Sequence, residues 1–201
     1  ADIVVDFSQY PLGTELYLVN RLQQDDTRGS DNVKAPGRRV LKFIVDHEPP
    51  EADVSQVPSV LRPIRRPTAT EIAAARVRNW VFARKNGMWS INDRFMKANA
   101  ARATITKGSA EIWDLINPSG GWSHPIHIHL EEGIILNKFV NGIEVPVPVH
   151  ERGRKDVFVL GPNERMRVFI RFRDFVGKYV MHCHNTIHED HAMMVRFDIE
   201  E

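Results

Sequence analysis

The sequence has only one cysteine, Cys183, among its 201 residues. A single cysteine cannot form a disulfide within the chain, so cysteine usage says nothing about the compartment of the protein. The sequence also lacks an apolar run long enough to cross a bilayer. Its formal net charge is only +1, which argues against nucleic acid or a membrane surface as a partner.

The beginning of the sequence lacks two further features. Residues 1–7 include neither an initiator methionine nor a signal peptide. We therefore expect the chain to be a processed piece or a fragment. With 42% hydrophobic and 26% charged residues, its composition is otherwise that of an ordinary globular protein.

Short apolar runs dominate the chain, and no long helical pattern interrupts them. Within residues 1–46, strands are predicted over Ile3–Phe7, Leu16–Val19 and Val40–Val45, with a long loop over Gln23–Arg39. Three strands make a poor independent domain. We therefore interpret residues 1–46 as the C-terminal part of an incomplete β domain.

Residues 47–79 have the composition of a linker between domains, because they hold five of the twelve prolines. Within this segment, Thr68-Ala69-Thr70-Glu71 matches a capping box and predicts a short helix over Glu71–Val77.

Residues 80–201 return to the strand pattern. Asn86-Gly87 lies between the apolar runs Trp80–Phe82 and Trp89–Ile91 and predicts a β-hairpin. Trp80, Trp89 and Trp113 are interpreted as core aromatic residues. Many short strands without a long helix indicate an all-β sandwich or barrel. Further strands are predicted within 104–116 and over Val157–Leu160, Met166–Phe172, Lys178–Met181 and Met193–Ile199.

The stretch that carries the chemistry surrounds the cysteine. Cys183 lies between His182 and His184, with His188 and Met193 following at short spacing. A thiolate, two imidazoles and a weak axial thioether are the ligands of a blue copper site. Cys183, His188 and Met193 supply all of these except one histidine.

The second histidine has a source upstream, in His124-Pro125-Ile126-His127-Ile128-His129. These residues, together with His182 and His184, are more than one copper ion needs, so we expect a second metal centre beside the first. Along a strand, Cys183 would point to one face and its two neighbours to the other. The spacing therefore predicts a short covalent bridge between two metal sites.

Two plainer interpretations compete with copper. A lone cysteine is usually a small core residue, but this one is flanked by two histidines and followed by a methionine. Zinc is the main chemical competitor, yet zinc sites rarely use methionine.

The two motifs together resemble the C-terminal cupredoxin domain of multicopper oxidases. Gly121–His129, His182–Met194 and Gly153-Arg154-Lys155-Asp156-Val157 are most similar to the branch of bilirubin oxidases and spore-coat laccases. The resemblance implies a Greek-key, cupredoxin-like β-sandwich over residues 80–201, preceded in residues 1–46 by the end of a second, incomplete cupredoxin domain. It also implies copper ligands. They are His124, Cys183, His188 and Met193 for type 1 copper, His127 for type 2 copper, and His129, His182 and His184 for the type 3 pair.

The resemblance further implies an oxidase with four copper ions, in which a small phenolic or pigment-like donor is oxidised and dioxygen is reduced to water. Electrons would enter at the edge of His188, with Trp122 as a lid or substrate contact. They would cross Cys183 and continue through His182 or His184. Glu189 resembles the family's proton donor. The alternative role for Glu189 is to orient a histidine by a hydrogen bond.

The family's two N-terminal His-x-His motifs are absent from this sequence, whose remaining histidines are His47, His150 and His191. The missing ligands are therefore expected from the N-terminal part of the same enzyme, as a separate or cleaved chain. The resemblance suggests a secreted, periplasmic or spore-coat location. Two other functions stay open: a blue-copper electron carrier without oxidase activity, and a metallo-oxidase for Cu(I), Fe(II) or Mn(II).

Overall fold

The computed structural model describes residues 4–23 and 32–201, and strands are the dominant element. The chain forms two compact units that divide between Pro63 and Ile64. In chain order the elements are β1 (Glu15–Leu22), β2 (Val33–Ile44), α1 (Ala69–Ala74), β3 (Arg76–Lys85), β4 (Met88–Ile91), β5 (Ala103–Thr106), β6 (Ala110–Asn117), β7 (His124–Ile128), β8 (Gly133–Val140), β9 (Ile143–Val145), β10 (Val157–Leu160), β11 (Glu164–Arg171), β12 (Gly177–Cys183), α2 (Thr186–Asp190) and β13 (Met194–Glu200), with short 3₁₀ turns at Phe7–Gln9 and Val149–Glu151.

The described part of the first unit contains an antiparallel ribbon of β1 and β2. The predicted loop over Gln23–Arg39 is too long, because β2 already begins at Val33, which pairs with Leu22. The segment is polar, but polar residues are accommodated in an exposed ribbon. Its Pro36 and Gly37 are tolerated in an edge strand beside an irregular register, and the register shifts between Asn20 and Leu22.

The predicted first strand is also wrong in its described part. Phe7–Gln9 form a 3₁₀ turn that the Asp6 carboxylate caps by accepting a hydrogen bond from the Ser8 amide at 3.0 Å. Ile3, the first residue of that prediction, and residues 24–31 of the predicted loop lie outside the described part of the chain.

The second unit is a sandwich of two sheets. One sheet has five strands in the order β10-β7-β12-β13-β5, and the other has six in the order β4-β3-β6-β11-β8-β9. Their facing side chains form one continuous apolar core. Trp113 of the six-stranded sheet, for example, meets Phe197 of the five-stranded sheet edge to face, with ring centroids 5.3 Å apart. The prediction of an all-β sandwich is confirmed.

Local signals in the sequence explain several boundaries of this unit. The Asn86-Gly87 turn joins β3 and β4, with both residues at positive φ, 51° and 80°, as a tight hairpin requires. The capping box at Thr68 and Glu71 is present. The helix it starts is shorter than predicted and ends at Ala74, because β3 begins at Arg76, in parallel register with β6.

The segment predicted as linker, residues 47–79, therefore spans the boundary between the units. Its second part, from Ile64 onward, belongs to the second unit and carries α1 and the start of β3. Strands β8 and β9, which extend the six-stranded sheet beyond β11, were not predicted. Their sequence mixes apolar and polar residues without strict alternation.

The elements that hold the histidine motifs are neighbours. β12 lies between β7 and β13 in the five-stranded sheet, and the short helix α2 connects β12 to β13. The motif around His124 and the motif around Cys183 are 59 residues apart in sequence, and strand pairing brings them side by side.

Candidate metal centre

Antiparallel pairing of β7 with β12 fixes which face of the sheet each side chain occupies. His182 lies opposite His127, and Cys183 lies opposite Ile126. Since alternate residues of a strand point to opposite faces, Cys183 shares the core face with Ile126 and His124. His182 and His127 share the other face. The alternation predicted around Cys183 is what this register produces.

On the core face, three side chains converge. Cys183 Sγ lies 3.6 Å from His124 Nδ1 and 3.5 Å from His188 Nδ1, and the two Nδ1 atoms are 3.1 Å apart. All three residues are fully buried, with an exposed fraction of 0%. Ligand atoms bonded to one ion at about 2.0 Å for nitrogen and about 2.3 Å for sulfur would be separated by similar distances. These three donors therefore fit a single metal ion.

The methionines after α2 differ in their surroundings. Met193 is fully buried and belongs to the same core cluster as Cys183, whereas Met194 is partly exposed. The backbone holds Met193 close to the other candidates, because its amide donates to His188 O and its carbonyl accepts from the Cys183 amide, both at 3.0 Å. Of the two, Met193 is the one suited to an axial ligand.

Burial makes these groups neutral in the metal-free chain. It lowers the pKa of His124 to about 3 and that of His188 to about 4, and it raises the pKa of the Cys183 thiol to about 12. A metal ion would reverse the preference of the thiol, since a coordinating thiol is deprotonated. Soft sulfur, two imidazoles and a nearby thioether in a dry pocket are a donor set suited to copper.

On the opposite face of the sheet, four histidines form a second cluster. Nε2 of His129 lies 3.2 Å from Nε2 of His182, and His127 joins them with all three ligand atoms within 4.8 Å of one another. The ring of His184 lies 5.2 Å from that of His182. His182 is buried, His127 and His129 are half-buried, and His184 is exposed.

Contacts to the other ring nitrogen, Nδ1, orient two of these histidines. His127 Nδ1 lies 3.1 Å from the carbonyl oxygen of Asp156 and donates to it. His182 Nδ1 lies 3.3 Å from Cys183 O and 3.4 Å from Glu189 Oε1. A histidine whose Nδ1 is engaged in this way presents Nε2 to a metal, and such contacts fix its tautomer.

Comparison with known proteins gives a family and a fold. The sequence profile of the family described as multicopper oxidase matches residues 61–201. The chain belongs to the multicopper oxidase family.

Individual relatives agree with this assignment. The chain is 35% identical over 98% of its length to the bilirubin oxidase of Albifimbria verrucaria, of which it covers 34%. It is 32% identical over 99% of its length to a laccase of Haloferax volcanii, covering 33% of that protein. A variant of the McoA multicopper oxidase from Aquifex aeolicus has a similar fold, with a TM-score of 0.72 and 21% identity over 98% of this chain and 43% of that one.

These comparisons confirm the predicted family and the cupredoxin-like fold, and membership of a multicopper oxidase family implies copper as the metal. The chain spans about a third of the length of the curated relatives named above. In the described ranges, neither helix has the length and apolar character needed to cross a membrane.

Several predicted site residues take unexpected surroundings in this multicopper oxidase chain. His188 is fully buried, so its imidazole edge is covered. Trp122 is half-buried, with its ring centroid 5.8 Å from that of His188. The Glu189 side chain is 36% exposed and contacts His182 Nδ1. This contact supports the alternative role of orienting a histidine.

One residue of the site was missed. The sequence predicts Trp89 as a core aromatic residue, and it is buried, but its ring also lies against that of His188, with centroids 3.7 Å apart and planes tilted by 33°. Its place could not be found from the sequence, because Trp89 belongs to β4 of one sheet and His188 follows β12 of the other. The remaining histidines, His47, His150 and His191, are exposed and join neither cluster.

Proposed function

We propose that the protein to which this chain belongs is a copper-dependent oxidase that couples one-electron oxidation of phenolic or pigment-like donors to reduction of dioxygen to water. The observation that carries this proposal is the position of Cys183. Its sulfur belongs to the buried trio of His124, Cys183 and His188 on the core face. Its neighbours His182 and His184 lie in the histidine cluster on the other face, the outer cluster.

We propose the ligand assignment that the family resemblance implies, and the two clusters support its division into two sites. We assign His124, Cys183 and His188 to a type 1 copper ion, because their ligand atoms converge in the core, and Met193 as its axial ligand, because it is buried beside them on the same backbone. The outer histidines are assigned to the trinuclear cluster, with His127 for type 2 copper and His129, His182 and His184 for the type 3 pair. Copper bound at these sites would supply the one-electron and oxygen-reducing chemistry that no amino-acid side chain provides.

The chain itself contributes connection and orientation. Only a few backbone and side-chain bonds separate the Cys183 sulfur from the imidazoles of its two neighbours, so the two clusters are joined without a solvent gap. Burial of the trio excludes water from the cysteine. Glu189, in contact with His182 and partly exposed, is placed to orient that ring and to carry protons between solvent and the outer cluster.

The rest of the ligand set belongs to the remainder of the protein in this proposal. The histidine cluster on the outer face offers four imidazoles, and its members His127, His129 and His184 retain solvent exposure in this chain. Relatives about three times as long as this chain supply additional sequence. The donor and dioxygen are the small-molecule partners that this function requires.

The test compares Cys183→Ser with wild type in the full-length protein to which this chain belongs, with His191→Gln as a control on an exposed histidine just after α2. We expect wild type and His191→Gln to bind copper, absorb in the visible range and consume oxygen with a phenolic donor. Cys183→Ser should lose both the thiolate absorption and donor-dependent oxygen consumption. Oxygen consumption that survives in Cys183→Ser would contradict the oxidase proposal. A blue protein without any oxygen consumption would favour an electron carrier.

A further inference from the structure

His188 is buried although the segment that carries it is exposed. Its neighbours in α2, Ile187 and Asp190, face solvent, and Ile187 is 45% exposed. The imidazole itself has an exposed fraction of 0%, and its Nε2 atom is buried without a hydrogen-bond partner among the described residues. Something other than α2 must therefore cover the ring.

The cover comes from the opposite sheet. The indole of Trp89 lies against the His188 ring with centroids 3.7 Å apart and planes 33° from parallel. It also meets His124 edge to face at 5.5 Å and Trp122 edge to face at 4.8 Å. With only 4% of its surface exposed, Trp89 contacts both histidines of the trio and separates them from solvent.

The β3–β4 hairpin fixes Trp89 in this position. The guanidinium of Arg84 lies 5.1 Å from the centre of the Trp89 ring, on the strand that pairs with β4. Arg84 also donates to the carbonyl of Gly87 at 2.6 Å, within the turn that closes the hairpin. The indole thus contacts a cation as well as an imidazole, and its position depends on the hairpin as well as on the histidine motifs.

We propose that Trp89 is the positioning residue of His188: it sets the ring so that Nδ1 faces Cys183, and it keeps water from Nε2. This inference rests on the proposed copper site. A stacked indole removes the rotational freedom of the imidazole. It also withholds the hydrogen bonds by which water would stabilise the more highly charged cupric form, and Arg84 adds a positive charge next to the indole. The hydrophobic surroundings of a metal site control solvent access and redox potential in this way.

The first readout needs no metal. In metal-free protein, diethyl pyrocarbonate modifies exposed imidazoles, and peptide mass spectrometry measures His188 with exposed His191 as the internal reference. We expect Trp89→Leu to accelerate modification of His188 relative to wild type, because the ring becomes accessible and mobile, while the rate at His191 stays unchanged. Trp89→Phe keeps an aromatic face and should change the rate much less.

The matched control is Trp80→Leu. Trp80 is equally buried, at 3%, and meets Trp113 edge to face at 5.4 Å, so its removal also disrupts the core. It should leave His188 protected. The proposal would be overturned if His188 in Trp89→Leu were modified no faster than in Trp80→Leu, whether both rates rise equally or neither rises.

The second readout uses copper-loaded protein. Trp89→Leu should lower the ratio of Cu(I) to Cu(II) affinity about tenfold and alter the thiolate absorption, with little change in Trp80→Leu. An unchanged ratio in Trp89→Leu would overturn the effect on the metal. A third outcome separates the two proposals. If neither wild type nor any variant bound copper at Cys183, the proposed function would fail. If His188 still became accessible in Trp89→Leu, its positioning by Trp89 would stand.

Discussion

At the scale of single residues, the side chain of Cys183 and its two neighbours in sequence lie in different surroundings. Its side chain is sealed in the core of the sandwich, while the residues on either side of it belong to a partly exposed histidine cluster. Strand geometry produces this split, because neighbouring residues point to opposite faces. One residue can therefore connect a dry pocket to a site open to further ligands.

The buried ionisable groups predict how the stability of the metal-free chain depends on pH. The pKa values of His124 and His188, about 3 and about 4, lie below their ordinary value of 6.5. At pH values between the folded and the unfolded pKa, these imidazoles bind more protons in the unfolded chain than in the folded chain. The free energy of unfolding should therefore fall as the pH drops from 6.5 toward 4. The pKa of Cys183, raised from 9.0 to about 12, should make it fall again as the pH rises above 9.

Urea unfolding of metal-free protein across this range measures the effect. We expect a plateau between pH 6.5 and pH 9, the unperturbed values of the histidine and cysteine groups. Cys183→Ala should reduce the alkaline decline and leave the acid decline in place. Stability that stays constant from pH 6.5 to pH 4 would show that the two imidazoles are not buried as described.

A second residue of interest is Ala192, which has φ of +64° between α2 and Met193. This left-handed conformation costs an L-residue roughly 1–2 kcal/mol but costs glycine little. Ala192→Gly should therefore raise the free energy of unfolding by about 0.5 kcal/mol after the extra entropy of the unfolded chain is subtracted. Ala73→Gly, inside α1, should lower it by about 1 kcal/mol. Chemical denaturation compares the two, and a destabilised Ala192→Gly would contradict the strain.

At the scale of elements, the register of β7 against β12 decides the site, and the β3–β4 hairpin completes it from the other sheet. A shift of the β7–β12 register by one residue would move the histidines of β7 to the wrong faces. Helix α1 has a separate role at the edge of the second unit. Its Glu71 caps the helix and also accepts from Arg171 of β11 at 3.0 Å.

The contact between Thr68 and Glu71 predicts the effect of a substitution at the helix cap. Thr68→Ala removes the hydroxyl that accepts from the Glu71 amide and should lower the free energy of unfolding by about 1 kcal/mol. Thr70→Ala, on the same short helix but outside the cap, should be neutral or slightly stabilising. Thermal or urea unfolding measures both. Equal effects of the two substitutions would indicate that the cap does not contribute.

At the scale of the whole molecule, charges and apolar side chains are distributed unevenly. The second unit buries four carboxylates in ion pairs: Arg78 with Glu111, Arg165 with Asp114, Arg173 with Glu131 and Lys155 with Glu151. The described ribbon of the first unit instead exposes apolar residues such as Leu18, Val40 and Ile44. A two-stranded ribbon is marginally stable by itself, which agrees with a chain that spans about a third of its relatives.

Copper should stabilise the molecule, because a ligand that binds only the folded state raises the free energy of unfolding by mass action. At a free copper concentration near one hundred times the dissociation constant, the gain is about 2.7 kcal/mol, which corresponds to roughly 5–10 °C in melting temperature. Differential scanning fluorimetry with and without copper measures this shift. Cys183→Ser is the control and should lose most of it. An equal shift in that variant would place the stabilising copper elsewhere.

The sequence by itself determined the family of this protein and its fold class. Ligand types at fixed spacing, with Cys183 between two histidines, indicated copper and the family, because alternation along a strand is a local property. The Asn86-Gly87 hairpin and the Thr68 cap were equally readable, since each depends on a few neighbouring residues. Periodicity likewise identified most strands of the second unit.

The tertiary structure decided what lies between distant segments. The packing of two sheets placed Trp89 on His188 and covered an imidazole whose edge the family resemblance implies as the entry point for electrons. Pairing with β1 and β6 extended β2 and β3 into residues that composition assigned to a loop and a linker. These outcomes depend on which surfaces meet, and burial and pairing then outweigh local preference. The sequence thus supplies the candidate ligands, and the contact between the sheets determines how the buried ones are covered and oriented.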